Sequence, residues 1–246
     1  MDRLIYTAMT GASAASHRQA VLANNLANAS TNGFRAELST FRAVPLQGEG
    51  LATRVFALEA TAGHLDTAGP AQRTGRDLDA MAQGNSWFAV QGLDGTEAYT
   101  RNGAFEISPQ GTLLTGNGLT VLSDGGAPIT LPVGASVSLG ADGTISAKTD
   151  KQPAAAVGRL KMVTPDVQDP LKRGTDGLFR PASGDPLPNS ATARLSSGVL
   201  EGSNVNAVET MVGMIQTARQ FEVQMRLLQN AETNDKSASQ LLNLQS

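Results

Sequence analysis

The 246-residue chain has no cysteine, which excludes disulfides, thiolate catalysis and Cys-ligated metal while permitting an oxidising compartment. Its two histidines, His17 and His64, have no second ligand at metal spacing, so both read as surface residues. Aromatics make up 4% and charged residues 17% of the chain, against 26 glycines. That composition suits turn-rich β structure and Ala-rich helix rather than the bulky core of an enzyme. The net charge of −3 offers no basic surface for nucleic acid or anionic lipid. No run approaches the roughly 18–20 apolar residues that cross a bilayer, so no membrane insertion is expected. A cleavable Sec-type signal is not expected either, because Asp2 offsets Arg3 and the run from Leu4 to Ala15 is broken by Thr7, Thr10, Gly11 and Ser13. The default compartment is therefore the cytoplasm, unless export uses another route.

Catalytic signatures are also missing. No G-x-S-x-G elbow, Walker loop or dinucleotide fingerprint occurs, and no cofactor is expected. Asp77 and Asp79 would suit a carboxylate pair or a calcium loop. The rest of an EF-hand pattern is absent, however, and alternate acidic positions fit the solvated face of a strand. Trp87-Phe88 either lines a ligand groove with Val90 or belongs to a β core.

What the chain does have is a helical run at each end. From Asn206 to Leu244, apolar residues recur three and four apart: Val208, Met211, Ile215, Ala218, Phe221, Met225 and Leu228. Asn206 is placed to cap this helix, with Glu209 three residues on as in a capping box. From Met1 to Ala29, Ile5, Ala8, Ala12, Ala15, Gln19, Leu22, Leu26 and Ala29 share a seven-residue repeat. An Ala-rich seam allows close approach but buries little area, so this helix is marginal alone. Asn24, Asn25, Asn28 and Gly33 end it, either as simple terminators or by locking the bend through side-chain amides.

Between the helices the chain reads as β. Turn dipeptides Asp94-Gly95, Asn102-Gly103, Asn117-Gly118, Asp124-Gly125 and Asp142-Gly143 separate the runs Trp87–Val90, Ala104–Ile107, Leu119–Leu122 and Val137–Leu139. Val157–Val163 is a further strand candidate and Lys148–Pro153 a surface turn. Phe34–Gly75 reads as irregular connector with short extended pieces and Pro165–Pro188 as loop. The expected fold is α+β: N- and C-terminal helices paired as a coiled-coil stalk, with a mainly antiparallel β domain between them. The expected divisions are 1–32 with 205–246 (helical assembly domain), 33–80 with 148–204 (connector and β structure) and 81–147 (compact β domain). The two seams either pair within a monomer or also pack against neighbouring subunits.

Four stretches carry a family resemblance. Ala23-Asn24-Asn25-Leu26-Ala27-Asn28-Ala29-Ser30-Thr31-Asn32-Gly33-Phe34-Arg35 resembles the N-terminal signature of bacterial flagellar rod and hook proteins, and Leu200–Val212 resembles their C-terminal signature. Gly84–Val90 and Tyr99–Phe105 are similar to the β module of the longer members. Ala207 stands where relatives often have Pro, a change a helix tolerates. The resemblance implies a non-enzymatic rod subunit of proximal type, with the distal type or a soluble β ligand-binding module as alternatives. It implies copies of itself, other rod proteins and the flagellar type III export apparatus as partners, and a place in the periplasmic rod. The assembly contacts would be Ile5, Ala8, Ala12, Leu22, Leu26, Val208, Met211, Ile215, Ala218, Met225 and Leu228. The signature turn would be Asn24, Asn25, Asn28, Gly33 and Phe34.

Overall fold

The computed structural model describes residues 2–45, 55–132, 134–149 and 152–243. Leu46, the middle of the turn expected at Lys148–Pro153 and the helix end expected at Leu244 lie outside that set. The architecture is α+β, and the chain divides into two compact units: Met1–Asn28, Glu37–Gly63 and Val205–Ser246 form one, Ala29–Ala36 and His64–Asn204 the other.

The first unit is helical. Helix α1 (Asp2–Ala27) and helix α2 (Ala207–Asn243) pack together, and the run is antiparallel, since Gly11 lies against Gln224 and Gly213 against Leu22. Asn206 caps α2: its Oδ1 accepts from the backbone N–H of Val208 at 3.1 Å and of Glu209 at 3.2 Å. α1 ends two residues before the expected Ala29, where Asn28 Nδ2 donates to Asn24 O at 2.9 Å. Asn25 is buried and pairs with Glu37 like a strand neighbour, donating to its carbonyl at 2.9 Å and accepting from its N–H at 2.8 Å. These amide bonds fix the bend leaving the helix.

The same unit contains two long strands, β1 (Glu37–Pro45) and β2 (Val55–His64), paired with each other, where irregular connector with only short extended pieces was expected. Their length and pairing escaped because Leu38, Phe41 and Val44 stand three apart, which lacks the period-two alternation of a half-buried strand. Leu38 and Phe41 are in fact exposed.

The second unit is antiparallel β. Its largest sheet runs in the order Met162–Val163, Trp87–Gln91, Glu97–Thr100, Phe179–Pro181, Leu171–Arg173, and a second runs Gln152–Arg159, Thr144–Thr149, Ser136–Leu139. Trp87–Gln91 is an inner strand of the first sheet, and Trp87 to Val90 are buried on both faces. Phe88 and Val90 enter a core with Phe105, Leu113, Val121 and Ile145, while Trp87 and Ala89 enter another with Tyr99, Val163 and Phe179. Three turns share one design. In Gly92–Thr96, Gly140–Thr144 and Gly174–Leu178 the first N–H donates to the fifth residue's carbonyl at 2.7–2.8 Å, and the Asp at position three accepts from the fifth N–H at 3.0–3.1 Å. Leu119–Leu122 forms only isolated bridges, Thr120 with Leu114, Val121 with Val90 and Leu122 with Pro128. Val157–Val163 splits, one strand ending at Arg159 and the next starting at Met162. Pro165–Pro188, expected as loop, holds two three-residue strands, too short to display a period.

Candidate assembly surface

The sequence places a Met/Ile stripe of α2 opposite the Ala seam of α1, and the structure turns a different face inward. Among the described residues of α2, Thr210, Thr217 and Ala231 are buried, with Ala207, Gly213, Met214, Gln224 and Leu228 half-buried. On α1, Ala8, Ala12, Ala14 and Ala15 are buried, and Ile5, Leu22 and Leu26 are half-buried. The contact is close: a Cβ at Gly11 would stand 2.9 Å from Gln224 Cδ, and one at Gly213 3.4 Å from Leu22 Cδ1. Small residues permit that approach, and the threonines satisfy their own hydroxyls. Thr210 Oγ1 donates to Asn206 O at 2.7 Å and Thr217 Oγ1 to Gly213 O at 2.8 Å.

The apolar side chains of α2 are left outside. Val208, Met211, Val212, Ile215, Phe221, Val223, Met225 and Leu227 are all exposed, Val208 to 71% and Ile215 to 56%, and Ala218 is exposed with them. At 3.6 residues per turn these fall on two flanks. Met211, Ile215, Ala218 and Met225 occupy one; Val212, Val223 and Leu227 occupy the other. The first flank borders a crease of about 320 Å³ between the helices, lined by Ala15, Ser16, Gln19, Thr217, Ala218, Phe221 and Glu222. Gln19 Oε1 is buried there without a hydrogen-bond partner. Apolar side chains on two flanks are more than a surface helix of a finished fold exposes, and the unit's own packing covers only the side facing α1.

In the β unit, the four signature stretches converge on a buried ion cluster. Glu201 is 1% exposed; its Oε1 meets Arg35 Nη1 at 2.5 Å and its Oε2 meets Arg101 Nε at 2.8 Å. Gly69 N–H donates to Oε1 at 3.1 Å. Arg101 Nη1 also donates to the carbonyls of Gly84 and Ser86, and Arg35 Nη1 to that of Thr67. Both guanidinium carbons lie over Trp87, at 5.9 and 5.7 Å from its ring. Burial pushes the Arg101 guanidinium below its ordinary value, opposed by the Glu201 charge. Gly33, at φ +70°, lies so close to Arg101 that a Cβ would stand 2.4 Å from its carbonyl carbon. Its N–H donates to Glu201 O at 2.7 Å. Phe34 is buried with the Arg173 guanidinium 4.4 Å above its ring. Asn204 ties together three points where the chain leaves this unit, accepting from Ala36 N–H at 2.7 Å and donating to Leu65 O at 2.8 Å and Thr67 O at 2.9 Å.

Two expectations for single residues are corrected. His64 is not a surface histidine: its side chain is 9% exposed, 4.7 Å from the Phe179 ring and 6.1 Å from Trp87. Burial lowers its pKa; Asp66 opposes this, while Arg35 and Arg173 add to it. Asp79 is not on a solvated face but 1% exposed, 3.6 Å from Arg76 Nε. Its neighbour Asp77 is exposed. His17 is exposed, and Trp87, 2% exposed, packs in the β core, presents its ring to two guanidinium groups and also lines a pocket of about 240 Å³ with His64, Asn85, Pro170 and Leu171. The charged cluster escaped sequence reading because its members are far apart in the chain and buried charge has no periodicity. The available signal was three charged residues inside otherwise apolar or turn-forming signature motifs. Among the described residues no three His, Cys, Asp or Glu gather as a metal site, and no helix is long and apolar enough to cross a membrane.

Comparison with known proteins bears directly on these stretches. The family model for flagella basal body rod protein matches residues 5–35, that for the flagellar hook protein FlgE/F/G D1 domain residues 81–147, and that for the flagellar basal body rod FlgEFG protein C-terminal region residues 196–241. The chain is 47% identical to the flagellar basal-body rod protein FlgF of Escherichia coli and 46% identical to that of Salmonella typhimurium, in each case over 99% of this chain and all of the relative. It is 30% identical to the rod protein FlgG of Bacillus subtilis over 99% of both chains, so the distal-type alternative is the less favoured. From its signature junction to its helical ends, the chain belongs to the FlgF family of flagellar basal-body rod proteins, a structural and not an enzymatic family.

Proposed function

We propose that this rod subunit joins its neighbours through α1 and α2, and that it does so in the proximal, periplasmic part of the rod, transmitting torque as part of the axial shaft. Its partners are copies of itself and other rod proteins, reached through the flagellar type III export apparatus. The observation that carries the reading is the inverted polarity of α2: threonine and alanine face α1 while eight large apolar side chains are exposed. Each is worth about 1.5–3 kcal/mol when fully buried, so an assembled state that covers them is strongly favoured over the isolated chain. Met211, Ile215, Ala218 and Met225 supply contacts along one flank; Val208 and Leu228 extend the interface. Ile5, Ala8, Ala12, Leu22 and Leu26 form the base that holds α2 in place. The Asn25–Glu37 pairing and the turn through Asn24, Asn28, Gly33 and Phe34 set how α1 leaves its neighbour in sequence.

The test is Ile215→Asp. The purified chain should keep its helical content and its β unit, whereas detergent-resistant basal bodies should lack it and cells should not swim. Normal motility with Ile215→Asp present in the rod would overturn the proposal.

A further inference from the structure

The β unit is closed by its last segment. Residues 194–204 run antiparallel along residues 69–83 in one continuous ladder. At one end Gln83 N–H donates to Arg194 O at 2.8 Å, and at the other Gly202 N–H donates to Pro70 O at 2.8 Å. Between them Leu195–Ser197 pairs with Ala80–Ala82 and Val199–Glu201 pairs with Ala71–Arg73. Among the described residues neither Ala71–Arg73 nor Ala80–Ala82 has another strand beside it. The same segment holds the first part of the unit. Gly33 N–H donates to Glu201 O, Ala36 N–H to Asn204 Oδ1, and Asn204 N–H to Phe34 O at 3.3 Å. Glu201 also supplies the carboxylate for the buried guanidiniums of Arg35 and Arg101. The rest of the unit does not depend on this segment for its strand partners. The strands of the five-stranded and three-stranded sheets, and the pair Phe105–Ile107 with Leu113–Thr115, all lie between Trp87 and Pro181 and pair among themselves.

We propose that residues 194–204 are a closing strap with Glu201 as its latch: the sheets between Trp87 and Pro181 form first, and residues 33–36 and 65–83 stay open until the strap docks. Before the strap arrives, seating Arg35 beside Arg101 would bury two cations without a counterion, which the interior of a protein strongly disfavours. The short strands Ala71–Arg73 and Ala80–Ala82 would likewise lack the neighbour that stabilises them. Docking the strap supplies both at once, and it carries Leu195 into the core beside Ala80 and Ala82. The strap follows every other part of the β unit in the sequence, so a chain released from its N-terminus reaches the latch after all the rest of that unit. The use of such a latch rests on the reading that the chain is exported: a β unit that closes last stays loose while the rest of it is in transit.

Hydrogen exchange measured by mass spectrometry on the purified full chain tests the strap. Glu201→Gln keeps an acceptor oxygen and removes the charge. In that variant, amides of residues 69–82 and 195–202 should exchange together and at least about tenfold faster than in the unsubstituted chain, while those of residues 87–100 stay unchanged. A rise spread evenly over the β unit, or no rise, would overturn the proposal. Pulse labelling during refolding of the unsubstituted chain covers the case in which the variant does not fold. Residues 87–107 should gain protection first, and residues 69–82 and 195–202 later and in one step. Protection of all of them at the same time, or of the strap first, would overturn the proposal. Both measurements are made on the isolated chain, so their failure strikes the strap alone, whereas absence of the chain from rod-bearing particles strikes the rod reading alone.

Discussion

The two units of this chain bury opposite kinds of residue. In the β unit Phe88, Val90, Tyr99, Phe105, Leu113 and Ile145 are fully buried, and even its charged cluster is closed on itself. In the helical unit the residues buried in the helix pair are mostly alanines and threonines, while Met211, Ile215 and Val223 are exposed. A shell of that kind yields little hydrophobic stabilisation per residue. The contrast teaches that large apolar side chains are buried in one part of the chain and left exposed in the other. Under the proposed function, the β unit supplies stability and the helical unit is completed by the subunits it binds.

The contrast can be broken most severely at Glu201. Replacing it with alanine leaves two guanidinium groups buried without their carboxylate, a change that costs about 3–5 kcal/mol. Urea unfolding of E201A followed by Trp87 fluorescence should show a loss of that size, and a loss below about 1 kcal/mol would mean that the backbone carbonyls around Arg35 and Arg101 suffice. A smaller effect is expected from acid. The folded-state pKa of His64 is lowered, chiefly by burial, so the neutral ring is favoured by folding. The stability this contributes is present above the unfolded value near 6.5 and is lost as pH falls through it towards the folded value. The melting temperature should therefore drop between pH 7 and 5, and H64F, which keeps an aromatic ring without a titrating nitrogen, should drop less. An equal drop would place the acid sensitivity elsewhere. The smallest effect is expected inside the helix pair. Gly213→Ala introduces a methyl at 3.4 Å from Leu22, ordinary contact, and removes the helix penalty of glycine. It should stabilise the helical unit by up to about 1 kcal/mol; destabilisation would show that the two helices cannot separate by even a few tenths of an ångström.

Much of this was legible in the sequence. Asn206 caps α2 through its side chain because a capping residue acts locally, over two or three N–H groups. The strand at Trp87 was legible for a similar reason, four consecutive apolar or small residues between turn signals. The inward face of α2 was not legible. A periodicity argument picks the most apolar stripe, and in this helix that stripe is exposed, while Val212, Val223 and Leu227 blur it further. The strands β1 and β2 were hidden because the apolar residues of β1 are not alternated against a core. The ion cluster was hidden because Arg35, Arg101 and Glu201 are brought together only by the tertiary fold.

The account turns on whether the helical unit depends on neighbours, and hydrogen exchange measured by mass spectrometry on the full chain addresses that most directly. In the dilute monomer, amides of α2 from Ala207 to Ala231 should exchange far faster than those of the inner strand Trp87–Gln91, and in isolated rods both should be protected. Protection of α2 in the dilute monomer equal to that of this strand would contradict the account, because the helix pair would then be as self-sufficient as the β unit.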